Sequence, residues 1–518
     1  MSHRRARAIV AAVAAAVSCV ATIVVYATHN NGYQGDEASH LLDARRVVDS
    51  ATPGFAQIGQ YWPPMFHILE LPFALIRPLY DAGLSGTIPA MLMYVVGVVG
   101  AFELGTALTG RRMAGAVGAL AYGLNPNLLV IQSLSMMEST IAATLVWSAA
   151  SLARFWQTGR MRDAVLSGLC VAAAVWADYG AWVLPVYAGA VIAVGSYRHR
   201  HSRSRAELYG LAAGVAGFGA MGLWLLWGFY IQHDPLYFAH LGLGANSTRE
   251  LELALSQGQA GSASFNAGEK HNLAFATLDY GLAVWHMLGP VATLGCVGAV
   301  AVAIVRGRIV HPLGAAACVG LFTLLALFMF GGTVGSPTLV RLTGNPLPSA
   351  GNDNIRYGLF LLPLAAGVLA VVAGTTRKRQ LMTAAAVVLS AAWLFTNTAL
   401  LLPRPDQLVD FRAEDAIAAI VAHEYDGTLV LTSSAIHGDR IIWRSGLDGS
   451  DFITENNGAL FAEVASHPRT VGWVLVAHDT PLARSFTDVH LLSLGFQRVA
   501  YVDAGGNADL RYALWKRA

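Results

Sequence analysis

The sequence predicts an all-α polytopic membrane protein of about eleven transmembrane helices, with a small extracytoplasmic α/β domain at its C-terminal end. Three observations predict it. Of the 518 residues, 55% are hydrophobic and 13% charged, roughly half the charged share of an ordinary soluble domain. Apolar runs of about 20 residues, enough helix to cross a hydrocarbon core of roughly 30 Å, recur from residue 8 to residue 402. Every short basic loop between those runs falls on one side, and the chain beyond residue 402 returns to ordinary polarity.

The predicted spans are 8–28, 84–108, 113–130, 139–156, 163–177, 179–197, 207–231, 281–305, 313–331, 355–374 and 380–402. Arg4, Arg5 and Arg7 precede the first. Its apolar stretch, Ala8–Thr28, is longer than a signal-peptide core of about 7–15 residues and lacks a small-x-small cleavage site, so it reads as a retained helix. The fifth and sixth spans share one apolar run, split at Ala177-Asp178-Tyr179-Gly180, because a single helix over 163–197 would overrun the bilayer and leave Asp178 in lipid. With that split, Arg111/Arg112, Arg160/Arg162, Arg198/Arg200/Arg203/Arg205, Arg306/Arg308 and Arg377/Lys378/Arg379 all join the N-terminal arginines on the cytoplasmic side. The opposite loops, 29–83, 232–280 and 332–354, are long.

Residues 1–402 therefore read as a membrane domain and 403–518 as an external α/β domain, with Pro403 and Pro405 in the linker. Strand-like runs at 428–433, 473–477 and 499–503 flank helical stretches near 412–424 and 457–466. Net charge is +2, which does not point to nucleic acid as a partner. The four cysteines, Cys19, Cys170, Cys296 and Cys318, lie in apolar runs and imply no disulfide framework. Cys19 follows Val17-Ser18, a faint echo of a lipoprotein cleavage box, but reads as a small apolar residue of a membrane helix.

The external loops carry the residues suited to chemistry. The first begins Gly32-Tyr33-Gln34-Gly35-Asp36-Glu37-Ala38-Ser39-His40. After Asp36, Ala38, Leu41, Ala44 and Val48 share one helical face and His40, Asp43 and Arg46 the other, which predicts an amphipathic helix in the interface plane. Asp36 suits the N-cap of that helix and Glu37 its positive end; the place of the pair, just beyond the first span at the membrane boundary, suits chemistry as well. Further on, Tyr61-Trp62-Pro63-Pro64 leads to His67, and Ile68–Leu79 predicts a second interfacial helix. Met137-Glu138 opens the fourth span, and Asp36 with Glu138 could hold a divalent cation. Arg356-Tyr357 precedes Pro363 on the external side, where the positive-inside rule disfavours arginine, so Arg356 should have a partner or snorkel. Arg341, Lys270 and His271 are the other external cations for an anion near the lipid surface.

In this order and sidedness the motifs resemble those of the integral-membrane, lipid-carrier-dependent glycosyltransferases of the GT-C fold. The likeness is to the bacterial branch resembling protein O-mannosyltransferases, aminoarabinose transferases and lipid A galacturonosyltransferases. It covers about residues 8–400. Where many relatives carry a lysine between spans five and six, this chain has Asp178.

The resemblance implies that Asp36, beside Glu37, is the catalytic base. It implies a polyprenyl-phosphate-sugar donor held with help from Arg356, Tyr357, His67, Lys270 and His271. The acceptor would be a hydroxyl of a lipid, glycan or protein of the cell envelope, with no nucleotide cofactor. The enzyme would sit in the plasma (inner) membrane. The competing readings are a transporter or flippase, which leaves the large external loops unexplained and finds no internal repeat, and a non-catalytic envelope scaffold whose residues 403–518 bind a partner.

The topology has a direct test. Reporter fusions after Lys378 and after Ala413 should report opposite compartments, and a shared compartment would overturn the span assignment.

Overall fold

The computed structural model describes residues 2–28, 32, 35–59, 62–200, 203–237, 273–306, 311–330, 353–374, 376–397, 411–434, 438–477, 481–503 and 511–518. Lys270, His271 and Arg341 lie outside the described residues.

Among the described residues, seven helices are long and apolar enough to cross a membrane: His3–Ala27, Leu84–Thr109, Tyr179–His199, Glu207–Gln232, Ala276–Val305, Arg356–Ala373 and Arg377–Thr396. The chain is a multi-pass membrane protein. The other four predicted spans coincide with Arg112–Gly123, Glu138–Thr158, Met161–Val175 and Gly314–Phe330. Three of these are shorter than a full crossing, and Glu138–Thr158 carries a glutamate, an arginine and several hydroxyls. Eleven helical segments are present, but eleven full crossings do not follow from length and composition. The break proposed around Asp178 is there: the helix ends at Val175 and Asp178 caps the following turn, accepting from the Gly180 N–H at 2.6 Å.

Close approach and paired polar groups hold the helices, as expected where lipid removes the hydrophobic drive between them. A Cβ on Gly115 would lie 2.5 Å from the Phe102 carbonyl oxygen, so the short 112–123 helix rests on its neighbour's backbone. The first helix, α1 (His3–Ala27), is tied along its length. Ser18 donates to Gln132 at 2.6 Å, Thr22 to Ser133 at 3.1 Å, and Tyr26 meets Thr87 at 3.0 Å. Near the other end Glu103 joins His3 at 2.9 Å and Arg154 at 3.2 Å. Each of these polar groups has a partner on another helix, so none faces lipid unpaired.

The C-terminal residues form a five-stranded sheet of order β2-β1-β3-β5-β4, with β1 Val430–Leu431, β2 Phe452–Ile453, β3 Trp473–Ala477, β4 Phe496–Asp503 and β5 Arg511–Arg517. β1 pairs parallel with β2 and β3, and β5 pairs antiparallel with β3 and β4. Alternation along β3 sends Trp473 and Leu475 to one apolar layer with Ile417, Val421 and Leu514, and Val474 and Val476 to the other with Val464 and Leu491. The predicted helices appear as Arg412–Glu424 and Ala459–Ser466.

One expectation needs correction. The helix after Asp36, α2 (Gly35–Arg45), does not lie open in the interface plane. Ala38, Leu41, Leu42 and Ala44 are buried. Leu42 belongs to the apolar layer of the sheet's Trp473 face, and Ala38 and Leu41 pack with Tyr80 and Trp443. Burying two leucines is worth about 2 kcal/mol each, so the α/β unit takes the place that amphipathicity alone assigns to lipid. The second helix of this loop, α3 (Met65–Ala74), stops short of the predicted 68–79, with a separate short helix at Arg77–Asp81, and lies beside α2.

Candidate functional site

Three separate stretches of chain meet at Arg356. It heads the helix that runs to Ala373, and its side chain is 3% exposed. Nη2 donates to Oδ2 of Asp36, from the first turn of α2. Nε lies 2.5 Å from Oε1 of Glu138, the first residue of the helix Glu138–Thr158. The Tyr357 ring sits beneath the guanidinium, its centroid 5.4 Å from Cζ. A buried cation at a membrane boundary is costly unless paired, and here two carboxylates compensate it. They differ in access: the Glu138 side chain is 1% exposed and that of Asp36 37%. Glu138 is thus a fixed counter-ion, and Asp36 is the carboxylate that faces open space.

Glu37 is buried and accepts from the Gly32 N–H at 2.7 Å. Burial pushes its carboxyl up to about 7, against the Gly32 and Ser135 amides and the charges of Arg440 and Arg444. His67, expected to touch substrate, is instead fully buried, its Nε2 3.0 Å from Nδ1 of His40 and 3.7 Å from Oδ2 of Asp43. Burial, helped by His40 and Arg46, holds His67 well below the usual imidazole range. Burial and the charge of Arg356 push His40 down to about 3, so the pair is two neutral rings sharing one hydrogen bond. The Trp62 ring covers His40 at 4.4 Å between centroids.

The structure thus gathers Asp36, Glu138, Arg356 and Tyr357 and sets Glu37 and His67 behind them. The guanidinium occupies the ground between Asp36 and Glu138 that a divalent cation would need. Among the described residues no group of three or more His, Cys, Asp or Glu could hold a metal, and an ion at Asp36 and Glu138 would have to draw its remaining ligands from water or a substrate phosphate.

Sequence reasoning missed the buried run Asp43–Arg46–Asp439 and the Glu70–Ser85 pair. Asp43 pairs with Arg46, whose Nη1 lies 3.6 Å from Asp439, and Ser85 donates to Glu70 at 3.0 Å. A glutamate inside the apolar run His67–Ala74 was a signal for the second pair; nothing local pointed to Asp439.

A family model described as dolichyl-phosphate-mannose-protein mannosyltransferase matches residues 63–224. The crystal structure of ArnT from Cupriavidus metallidurans bound to undecaprenyl phosphate aligns over 99% of this chain and 98% of its own, with 12% identity and a TM-score of 0.54. Its apo state aligns over 92% of each chain, with 13% identity and a TM-score of 0.49. The first of these likenesses shows a common fold from the membrane helices through the terminal sheet. No curated protein sequence matches the chain.

The burial of Glu37 sets a pH dependence of stability. A carboxyl raised to about 7 stabilises the fold fully below its unfolded value of 4.5, and that contribution is lost as pH rises through 7. Glu37→Gln keeps an acceptor for Gly32 without the charge. Its thermal midpoint should match that of the wild type near pH 4.5 and exceed it above pH 7. The gain should correspond to about 1.4 kcal/mol for each pH unit separating the folded and unfolded values. Parallel melting curves of the two proteins across this range would remove the assignment.

Proposed function

We propose that this chain, a polytopic membrane glycosyltransferase of the GT-C fold, moves a sugar from a polyprenyl-phosphate-linked donor to a hydroxyl acceptor on the extracytoplasmic face. The observation that carries the reading is Arg356 shared between an accessible and an inaccessible carboxylate at the membrane boundary. The undecaprenyl phosphate in the ArnT structure supports a lipid phosphate as the donor's carrier.

Asp36 accepts the proton of the acceptor hydroxyl as its oxygen attacks the anomeric carbon. The bond to the phosphate oxygen breaks in the same step, so the anomeric configuration inverts. A phosphate whose second pKa is about 6 leaves without a general acid but needs positive charge, which the Arg356 fork supplies through two parallel hydrogen bonds. Phosphate binding competes with Asp36 for that fork and turns the carboxylate toward the acceptor. Tyr357 supports the guanidinium from below. Lys270 and His271 are proposed as further cations for the donor. No step runs through a metal or a nucleotide. The acceptor is a lipid, glycan or protein hydroxyl of the cell envelope. The membrane is the plasma (inner) membrane, with the N-terminus cytoplasmic and the residues after 402 outside. The transporter reading has no use for a proton acceptor beside a phosphate-sized cationic fork.

Two substitutions test this. Arg356→Lys retains the charge and loses the planar fork, so kcat/KM for the donor should fall by roughly 10–100-fold, the cost of one charge-assisted hydrogen bond. Wild-type donor saturation in Arg356→Ala would reduce the residue to a membrane anchor. Asp36→Asn keeps an amide oxygen for Arg356 to donate to but accepts no proton, so turnover of the folded enzyme should fall by roughly 10²–10⁴-fold, with protein level and thermal midpoint measured alongside to separate this from loss of fold. Near-wild-type transfer by well-folded Asp36→Asn would sink the assignment of the base.

A further inference from the structure

We infer that the extracytoplasmic α/β unit positions the base, with Arg440 of the helix Gly438–Ser445 holding the first turn of α2 so that Asp36 stays aligned with the site. The inference deepens the proposed function and rests on it.

The contacts form a chain. Asp415 takes Arg440 on both carboxylate oxygens, from Nε and Nη2 at 2.9 Å each, and the Phe411 ring lies 4.1 Å from the guanidinium carbon. The free edge of that fork, Nη1, donates to the carbonyl of Gly32. The N–H of the same glycine donates to Glu37, next to Asp36. Gly32 takes φ 78°, and a Cβ there would come within 2.8 Å of the Arg444 guanidinium, so only glycine fits between the arginines and α2. A second contact comes from Asp439, which faces Arg46 just beyond α2 at 3.6 Å. Trp443 packs on Ala38 and Leu41 and donates its indole N–H to the Tyr80 carbonyl at 3.1 Å.

Successive residues of a helix point about 100° apart, so holding Glu37 through Gly32 and Ala38 against Trp443 fixes the direction of Asp36. This matters because Asp36's own partner, Arg356, is the group the donor phosphate competes for. Once the phosphate holds Arg356, the backbone of α2 alone keeps the carboxylate in place, and that backbone is held by Arg440, Asp439 and Trp443. Arg440 reaches neither Arg356 nor Asp36 directly. It is a positioning residue.

The test uses the full-length enzyme with a polyprenyl-phosphate sugar. Arg440→Ala should lower kcat by roughly 10–100-fold, the effect of a misplacement of about 1 Å, with donor KM within about twofold of the wild type. Arg440→Lys should recover much of the loss, since an ammonium still reaches the Gly32 carbonyl. Arg440→Ala combined with Glu37→Ala should cost little more than the worse single change, because both act through Gly32. If Arg440→Ala does not fold, Asp415→Asn, which releases the arginine without removing it, should show the same fall in kcat at unchanged KM. Wild-type kcat in these variants, activity that falls only with the folded fraction, or multiplying losses in the double variant would overturn the inference. A wrong base would show separately, as activity in Asp36→Asn with Arg440 intact.

Discussion

The Arg356 guanidinium, buried at the head of a membrane helix, costs several kcal/mol to desolvate unless carboxylates compensate it. That requirement fixes where two other elements end. The helix Glu138–Thr158 must begin at Glu138 beside the guanidinium, and α2 must present Asp36 from the opposite side. Two carboxylates against one cation leave a net charge of −1 at the site. A phosphate bringing further negative charge is accommodated only if one carboxylate lets go. Glu138, closed off from solvent, has nowhere else to find compensation, whereas Asp36 is open on one side. The unequal access of the two therefore sets them apart: Glu138 is closed in beside the arginine, and Asp36 is open on the side from which a competing anion could approach.

The same logic explains the layer beneath. Every residue from Glu37 to Arg46, the one just past α2, is buried except Ser39 and Arg45. A helix buried on nearly all sides cannot carry unpaired charge, and its polar groups accordingly find partners: Glu37 on Gly32, His40 on His67, Asp43 on Arg46. Burial pushes the Glu37 carboxyl up to about 7 and both imidazoles down, so below neutral pH all three groups are mostly uncharged.

Much of this was legible in the sequence. Arginine sidedness and apolar length located the helical segments and the break near Asp178, because lipid imposes one rule on every span. Asp36, Glu138 and Arg356 stood out because charge at a membrane boundary is expensive and needs a reason. The orientation of α2 was not legible. Its amphipathic pattern is satisfied equally by lipid or by a protein surface, and the surface that covers it comes from Trp443 and from the sheet layer that takes Leu42. No local pattern records a contact spanning 408 positions, the separation of Arg440 from Gly32. β2 and β5 escaped for other reasons. Phe452–Ile453 is too short for any period to show, and the buried centre of β5, Tyr512-Ala513-Leu514-Trp515, carries apolar residues on both faces and so does not alternate. His67 was misread because a histidine in a proline-rich external loop looks accessible until α2 and Trp62 close over it.

The join between membrane domain and α/β unit also sorts into contacts that hold and contacts that align. Arg77 reaches Asp448 and Asp81, but both acids are well exposed, and such pairs contribute at most about 1 kcal/mol in water. Leu42 in the sheet's apolar layer and Trp443 against Leu41 remove far more surface from solvent, so they supply the adhesion. Adhesion of this kind is not directional: apolar faces tolerate small slips at little cost. Direction comes from hydrogen bonds with fixed geometry, and these flank α2. Arg440 meets Gly32 before it, and Asn457 donates to Ser50 and Thr52 after it at 3.0 and 2.9 Å. A unit whose directional contacts bracket the helix carrying the accessible carboxylate, at Gly32 before it and at Ser50 and Thr52 after it, passes its own shifts on to both ends of α2.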